Sequence, residues 1–266
     1  GYVRSQGNSS ITRGTIIGVK IQTPGLLSLE GVNDFYYSTF SGEDTGKLDL
    51  SPTGTLNSSN STFENCTRVD NKGVFNSTNN TFFRCNLVNN DHASLLNSLF
   101  SRSTCTGSLE IGRNNFIESS GTAACGMNNG TNGNIVGSLA ALVLPYGSYD
   151  QRYYPLSSSS PAIDAGDDAI CAADPVNNTS QNGVTRLTGV HCDIGAYEAP
   201  PKPIVSEYEL VSACGTDGCI TAAAGTQETT SNPINLRTGG FQYTFQDISI
   251  PTTAGNLTIT RDYASL

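Results

Sequence analysis

Residues 54–85 contain the same pattern twice, and this repeat constrains the fold more than any other feature. Residues 54–66 lie over residues 73–85 with a constant offset of 19 and no gap. A period of about 20 residues is too short for paired helices and fits leucine-rich repeats or β-helix coils. The aligned positions agree in identity or apolar character: Gly54/Gly73, Leu56/Phe75, Asn57/Asn76, Ser58/Ser77, Asn60/Asn79, Thr62/Thr81, Phe63/Phe82 and Cys66/Cys85.

The residue types favour the β-helix. Regularly spaced Leu is absent, whereas Asn, Ser, Thr and Gly with single Phe or Leu dominate. We therefore predict an all-β chain: a right-handed parallel β-helix, or solenoid, followed by a small antiparallel β module. The domains are residues 1–198 with an N-terminal cap, a linker at 199–203 and a module at 204–266.

Stacking of coils predicts side-chain ladders, because equivalent residues of neighbouring rungs lie about 4.8 Å apart. We expect Phe63, Phe82 and Phe116 to point inward, with Leu56 and Phe75 as a second inward row. Asn tolerates left-handed backbone, and its amide can hydrogen-bond from rung to rung. Corners are therefore expected at Asn57/Asn76 and Asn60/Asn79.

Composition indicates the class of partner. The chain has 14 Lys+Arg against 23 Asp+Glu, a net charge of −9. Nucleic acid is excluded as an expected partner, because phosphate binding needs a basic patch. The apolar run 135–144 is too short to span a membrane. No secretory signal is recognisable at Gly1, so we interpret the chain as a mature or trimmed product.

Eight cysteines form an even set, as in exported proteins. Four recur at intervals of 19, 20 and 20 residues, which would place them near one corner of successive rungs: Cys66, Cys85, Cys105 and Cys125. The rung spacing lies within the range of disulfide Cα separations. Bridges Cys66–Cys85 and Cys105–Cys125 are feasible, and a ladder of buried thiols is the alternative.

The repeat weakens away from its centre. Residues 1–53 carry strand-like runs at 15–21 and 34–40 without a 19-residue register, which indicates a cap or irregular first rungs. Residues 95–98 match the Leu/Phe-Asn-Ser corner, and residues 107–109 with 114–116 match another. The Gly- and Asn-rich stretch 121–137 predicts turns or an exposed loop.

Three later motifs resemble those of a known protein family. Asn-Ile-Val-Gly at 134–137, Ser-Pro-Ala-Ile-Asp-Ala-Gly at 160–166 and Cys-Asp-Ile-Gly-Ala-Tyr-Glu at 192–198 resemble the C-terminal signature of secreted bacterial parallel β-helix proteins of the choice-of-anchor Q type. The chain departs from that pattern at 179–186, where the usual Asp-Gln-Arg-Gly turn is replaced. The resemblance covers roughly residues 50–198 and implies a β-helix that these rungs close.

The same segment holds the one acidic cluster of the chain. Carboxylates with backbone carbonyls can bind calcium, so calcium is a candidate ligand; the alternative is that these side chains accept hydrogen bonds from turn amides. Cys171 and Cys192 flank the insert, which favours a third disulfide. The candidate ligands are Asp164, Asp167, Asp168, Asp174 and Asp193.

Residues 199–203, Ala-Pro-Pro-Lys-Pro, read as a stiff linker. Beyond it, Cys214 and Cys219 flank a tight turn that a fourth disulfide can close. Residues 232–241, 247–251 and 257–263 resemble the entry strands of Rhs and YD-repeat surface proteins. The predicted strands 241–245, 247–250 and 256–261 would have unpaired edges. The residues expected to mediate assembly are Phe241, Tyr243, Phe245, Ile248, Ile250, Leu257 and Ile259.

Enzymatic chemistry finds little support. Polysaccharide-active β-helix enzymes need clustered carboxylates on one strand face. In the repeat region the carboxylates are scattered and share no common register: Glu64, Asp70, Asp91, Glu110 and Glu118. His92 and His191 are interpreted as solvated or structural. The chain has no Trp, which sugar-binding platforms usually include.

Ten Asn-x-Ser/Thr sequons are glycosylation candidates in a secreted chain, although turns and corner ladders explain Asn beside Ser or Thr equally. They begin at Asn8, Asn57, Asn60, Asn65, Asn76, Asn79, Asn129, Asn177, Asn178 and Asn256.

The sequence therefore predicts an extracellular structural or adhesive surface protein without catalytic residues. Its expected partners are other copies of itself and surface glycans, with the module 204–266 joining copies head to tail in a filament. A β-helix polysaccharide-active enzyme and a shed N-terminal region of an Rhs-like toxin precursor are the alternatives.

Overall fold

A computed structural model describes residues 2–138 and 153–200, together with the strands at 219–221, 233–235, 242–252 and 255–264. The linker beyond Pro200, Cys214 and Phe241 lie outside the described residues. The chain has two compact units, residues 1–202 and residues 203–266. None of the described helices is long and apolar enough to cross a membrane.

The first unit is a parallel β-helix of about seven turns. Each rung contributes strands to three faces. Face 1 contains β1 (Tyr2–Arg4), β4 (Lys20–Gln22), β7 (Thr39–Ser41), the start of β10 (Thr62–Asn71), the start of β12 (Thr81–Asn89), β14 (Leu99–Ser101), β17 (Phe116–Ile117) and β18 (Ile135–Val136). Face 2 contains β2 (Ser9–Ile11), β5 (Leu26–Leu29), β8 (Lys47–Leu50), the ends of β10 and β12, and β15 (Cys105–Thr106). Face 3 contains β3 (Gly14–Ile17), β6 (Val32–Tyr36), β9 (Thr55–Ser59), β11 (Val74–Thr78), β13 (His92–Leu96) and β16 (Ile111–Arg113).

Residues 2–53 therefore form regular rungs and not a separate cap. Lys20 pairs with Thr39 and Tyr2 pairs with Lys20, all in parallel register. Of the two alternatives, a cap or irregular first rungs, the strand pairing agrees with rungs. The 19-residue pattern is not recognisable in this part of the sequence because different polar and apolar residues occupy equivalent strand positions.

A stack of aromatic rings runs through the core. Phe63 and Phe82 lie in register with ring centroids 4.8 Å apart, and Phe82 and Phe100 are 4.2 Å apart. Phe75 meets Phe82 edge to face, at 6.3 Å. The inward positions of Phe63, Phe82, Leu56 and Phe75 are confirmed, since each is fully buried.

Phe116 corrects one prediction. It is buried, but in a second cluster with Leu99 and Ile194, separate from the solenoid core. It pairs with Leu99 one residue before the inward position, which Ile117 fills opposite Phe100. The period drifts here, so counting in steps of 19 selects the wrong neighbour.

The corner between faces 3 and 1 depends on side-chain oxygens. Tyr37, Asn60, Asn79, Asn97 and Asn114 have positive φ between 46° and 52°. After four of these five corners, the backbone amide of the following residue donates to a side-chain oxygen of the next rung: Ser38 N to Ser61 Oγ (3.1 Å), Ser61 N to Asn80 Oδ1 (2.8 Å), Ser98 N to Asn115 Oδ1 (2.9 Å) and Asn115 N to Asn134 Oδ1 (2.9 Å).

The Asn predictions are half right. Asn60 and Asn79 lie at corners, but their amides contact other parts of the chain and not the next rung. Asn57 and Asn76 lie within β9 and β11, not at corners, and there Asn76 Nδ2 donates to Asn57 Oδ1 (2.9 Å). The match of residues 95–98 was shifted by three positions, because the partner of Phe75 is Ala93 and not Leu96.

Disulfides join neighbouring rungs. Cys66–Cys85 and Cys105–Cys125 have Cα separations of 4.6 and 4.9 Å. The four cysteines do not form one column, however. Cys105 pairs in register with Leu87 and not with Cys85. The backbone amide of Cys85 donates to Ser103 Oγ.

Residues 153–200 form a largely irregular segment, here called the strap, which lies against the outer side of face 1. Leu156, Ala162 and Ile194 pack on Leu99 and Phe116. It contains one short helix, α1 (Asp168–Ala172), and the disulfide Cys171–Cys192 with a Cα separation of 6.7 Å. Between β17 and β18, residues 121–123 and 131–133 form 3-10 turns, as the Gly- and Asn-rich composition predicts.

The second unit has two antiparallel pairs. β19 (Cys219–Thr221) pairs with β20 (Pro233–Asn235), and β21 (Gln242–Thr252) pairs with β22 (Gly255–Ala264). The predicted break between 241–245 and 247–250 is wrong, because β21 is one strand with a register shift between Gln246 and Ile248.

Truncating the central ring of the aromatic stack should be costly. We expect Phe82→Ala to lower the free energy of unfolding by about 3–5 kcal/mol, because it leaves a cavity between Phe63 and Phe100. Urea unfolding followed by circular dichroism measures it. The exposed Asn76→Ser is the control and should change stability by less than about 0.5 kcal/mol; equal effects of both variants would contradict the stacking account.

Candidate functional site

A buried polar cluster, here called the knot, connects the strap to the solenoid and consists of Asn60, Arg186, Asp193 and Glu198. Arg186 is 2% exposed, and its Nη2 donates to Asn60 Oδ1 (2.7 Å) at a corner of the β-helix and to Gly195 O (2.8 Å). Its Nη1 contacts Glu198 Oε2 at 3.2 Å. Burial lowers the pKa of Arg186 to about 10, although the negative charges of Glu198 and Asp193 raise it. The guanidinium therefore stays charged at neutral pH.

The two carboxylates of the knot organise the backbone around it. Glu198 accepts from the amides of Leu187, Thr188 and Asp193. Asp193 accepts from Asp164 N (2.8 Å) and Ala199 N (2.6 Å). Burial raises the pKa of Asp193 to about 6, although these two amide hydrogen bonds oppose the shift.

The calcium candidates are engaged in the same way. Asp164 Oδ1 accepts from Val190 N and His191 N, and Asp168 Oδ1 accepts from Cys192 N. Asp167 caps α1 through Ala169 N and pairs with Arg113. Among residues 2–138 and 153–200, no three His, Cys, Asp or Glu side chains come together to hold a metal ion. The geometry favours the alternative, that these carboxylates bind turn amides.

Arg186 was missed by sequence reasoning. It lies in the stretch 179–186 that departs from the family pattern, and it is the only strap cation that the structure places at the knot with Glu198 and Asp193. A single Arg in an otherwise uncharged insert, between two acidic motifs, was the available signal.

A second buried polar group lies on the outer side of face 1. Lys20 Nζ is 2.8 Å from Glu64 Oε1, and the two side chains are 1% and 0% exposed. Tyr154 of the strap donates its hydroxyl to Glu64 Oε2 at 2.7 Å. The Tyr154 ring lies on Phe83, with centroids 4.3 Å apart. Neither Lys20 nor Tyr154 was singled out from the sequence, because 44 and 90 residues separate them from Glu64.

The histidines are exposed and pair with carboxylates. His92 contacts Glu110 and Asp91, and His191 Nδ1 lies 2.9 Å from Asp168 Oδ2. Hydrogen bonds to Glu110 and Asp168 raise the pKa of His92 and His191 respectively. The two histidines lie at separate places, which agrees with solvated or structural roles.

The sequons differ in accessibility. Asn60 and Asn79 are fully buried, so the folded chain does not present them for modification. Among the sequons in residues 2–138 and 153–200, four acceptor side chains are exposed: Asn8, Asn76, Asn129 and Asn177.

The two ends of the β-helix differ. In the described chain, β1, β2 and β3 each pair on one edge only, and they surround an apolar hollow of about 520 Å³ lined by Val3, Ile11, Ile16, Ile17 and Ile21. At the other end, turns replace strands, and Met127 lies in the core at 8% exposure. Open strand edges around an apolar interior thus occur at the first rung.

No protein-family model, no curated protein and no solved structure matches this chain. The resemblances to choice-of-anchor Q and Rhs proteins therefore stay predictions.

Removing the cation of the knot should destabilise the chain strongly. We expect Arg186→Met to cost about 3–5 kcal/mol, because Glu198 is left buried without its counter-charge. Arg113→Met is the matched control, since its pair with Asp167 is half exposed and should contribute about 1 kcal/mol or less. Denaturant unfolding compares them, and similar losses would refute the assigned difference.

The knot also predicts a pH dependence. The pKa of Asp193 rises from 3.8 to about 6 on folding, so the folded chain binds this proton more tightly. Protonation of Asp193 contributes about 3 kcal/mol to the free energy of unfolding below pH about 4, and this contribution is lost as the pH rises through about 6. Relative to Asp193→Asn, the wild type should lose stability across this window in urea titrations; a constant difference would contradict the prediction.

Proposed function

We propose that this chain is an extracellular structural or adhesive surface protein that assembles head to tail through residues 204–266. The observation that carries the proposal is that β1, β2 and β3 surround an apolar hollow and, within the described chain, each pair on one edge only. Strand addition to such an edge satisfies main-chain hydrogen bonds and buries apolar surface. The three disulfides between residues 66 and 192 support an oxidising, extracellular location.

The β21–β22 hairpin supplies a suitable donor. Its strands are 11 and 10 residues long and carry alternating apolar residues, among them Tyr243, Phe245, Leu257 and Ile259. A contact between two different surfaces of identical chains propagates without closing unless its rotation returns on itself. Each copy has one first rung and one module, so such a contact favours a filament.

The polar knot supports a structural interpretation of the motifs at 160–166 and 192–198. Asp164, Asp193 and Glu198 are engaged with backbone amides and Arg186 in the strap. Membership of the choice-of-anchor Q type, with an Rhs-like module, is part of this proposal. In it, these motifs close the β-helix, and exposed surfaces contact other copies or surface glycans.

Electron microscopy and sedimentation velocity of the full chain test assembly. We expect filaments, and none from a chain that ends at Glu198 and keeps its β circular dichroism. Polymerisation of the shorter chain, or a monomeric full chain at high concentration, would show the proposal to be wrong.

A pair of matched substitutions tests which end accepts the module. Ile17 and Ile111 are 60% and 52% exposed and lie on outermost strands of face 3 at opposite ends. Ile17→Lys should shorten or abolish filaments, because a charge at the hollow opposes apolar docking, whereas Ile111→Lys should leave them unchanged. The reverse result would contradict docking at the first rung.

A further inference from the structure

The buried pair Lys20–Glu64 has properties that an ordinary salt bridge does not require. The ammonium group has three donors, yet among the described residues Nζ hydrogen-bonds only to Glu64 Oε1. The side chain is 1% exposed, so bulk solvent does not reach the other two donors. Burying a charged pair costs desolvation free energy, and a single hydrogen bond between the two groups offsets that cost only in part.

The carboxyl group of Glu64 is held at both oxygens. Oε1 receives the Lys20 hydrogen bond at 2.8 Å, and Oε2 receives the hydroxyl hydrogen bond of Tyr154 at 2.7 Å. Phe83 covers the tyrosine ring at a centroid distance of 4.3 Å. Amine, carboxyl and hydrogen-bond donor are therefore fixed together in a dry site, the arrangement that favours reaction between neighbouring groups.

We propose that Lys20 and Glu64 form an intramolecular isopeptide bond. The ammonium passes one proton to Oε1, which leaves a neutral amine and a neutral acid. Nζ then bonds to the carboxyl carbon. Oε1 leaves as water, with the transferred proton and a second proton from Nζ, and one hydrogen stays on the amide nitrogen. No oxidant, metal or cofactor takes part.

Tyr154 has a defined place in this step. Its hydroxyl donates a hydrogen bond to Glu64 Oε2, the oxygen that remains as the amide carbonyl. A hydrogen-bond donor at this position stabilises the negative charge that develops on Oε2 as the nitrogen attacks the carboxyl carbon. Escape of water from a site that excludes it favours the amide over the separated groups.

The bond would join rungs that are not neighbours. Lys20 is in β4 and Glu64 in β10, with β7 between them in the parallel register. The closed loop spans 44 residues. It would tie the first rungs to the centre of the solenoid, where Cys66–Cys85 already joins β10 to β12. This inference is independent of filament assembly.

Intact-mass spectrometry of the reduced, alkylated and denatured full chain is the test. The wild type should be lighter than its sequence by the mass of one water molecule. Lys20→Arg is the matched control, because it retains a cation beside Glu64 and removes the primary amine; it should have its full mass. Trypsin should release a branched peptide in which residues 14–47, uncut at Lys20, are joined to residues 48–68.

Tyr154→Phe tests the donor while keeping the ring on Phe83. We expect bond formation at least about 100-fold slower after refolding; an unchanged rate would overturn the role of Tyr154. A wild-type chain of unshifted mass, or a water loss that persists in Lys20→Arg, would overturn the isopeptide bond itself. The wild-type mass and branched peptide decide even if a variant does not fold.

Discussion

The β-helix depends on one kind of hydrogen bond: after four of the five left-handed corners between faces 3 and 1, the next backbone amide donates to a side-chain oxygen of the following rung. A positive-φ residue breaks the strand, and the following N–H must still be satisfied in the interior. Ser61, Asn80, Asn115 and Asn134 supply that acceptor. Because each acceptor belongs to the next rung, the corners fix the register, and with it the aromatic stack of Phe63, Phe82 and Phe100.

The strap adds a different kind of constraint. Irregular backbone has no ladder to satisfy its amides, so Asp164, Asp193 and Glu198 accept them, and Arg186 balances the buried charge. Asn60 connects the two systems, since its left-handed backbone forms a corner and its side-chain oxygen receives Arg186. The strap consequently covers the outer side of face 1.

The sequence was informative where the repeat is regular and misleading where the rung length changes. The offset between paired residues is 23 at Thr39/Thr62, 19 at Thr62/Thr81 and 17 at Leu99/Phe116. Cys66 and Cys85 fall within the regular part, so the 19-residue offset predicts both their disulfide and their position opposite each other on neighbouring rungs. Phe116 and Cys105 lie beyond it. A step of 19 back from Phe116 falls two positions from its true neighbour Leu99, and the same step back from Cys105 falls one position from Leu87.

The sequence by itself determined the fold class, the inward Phe63 and Phe82, and the pairing of Cys66 with Cys85, because stacked rungs bring equivalent residues together at a local spacing. Only the tertiary structure decided that Arg186 meets Asn60 and that Lys20 meets Glu64 beneath Tyr154. Those contacts depend on where a non-repeating strap lies across the rungs and on how far long side chains reach. Neither quantity is contained in a repeat pattern.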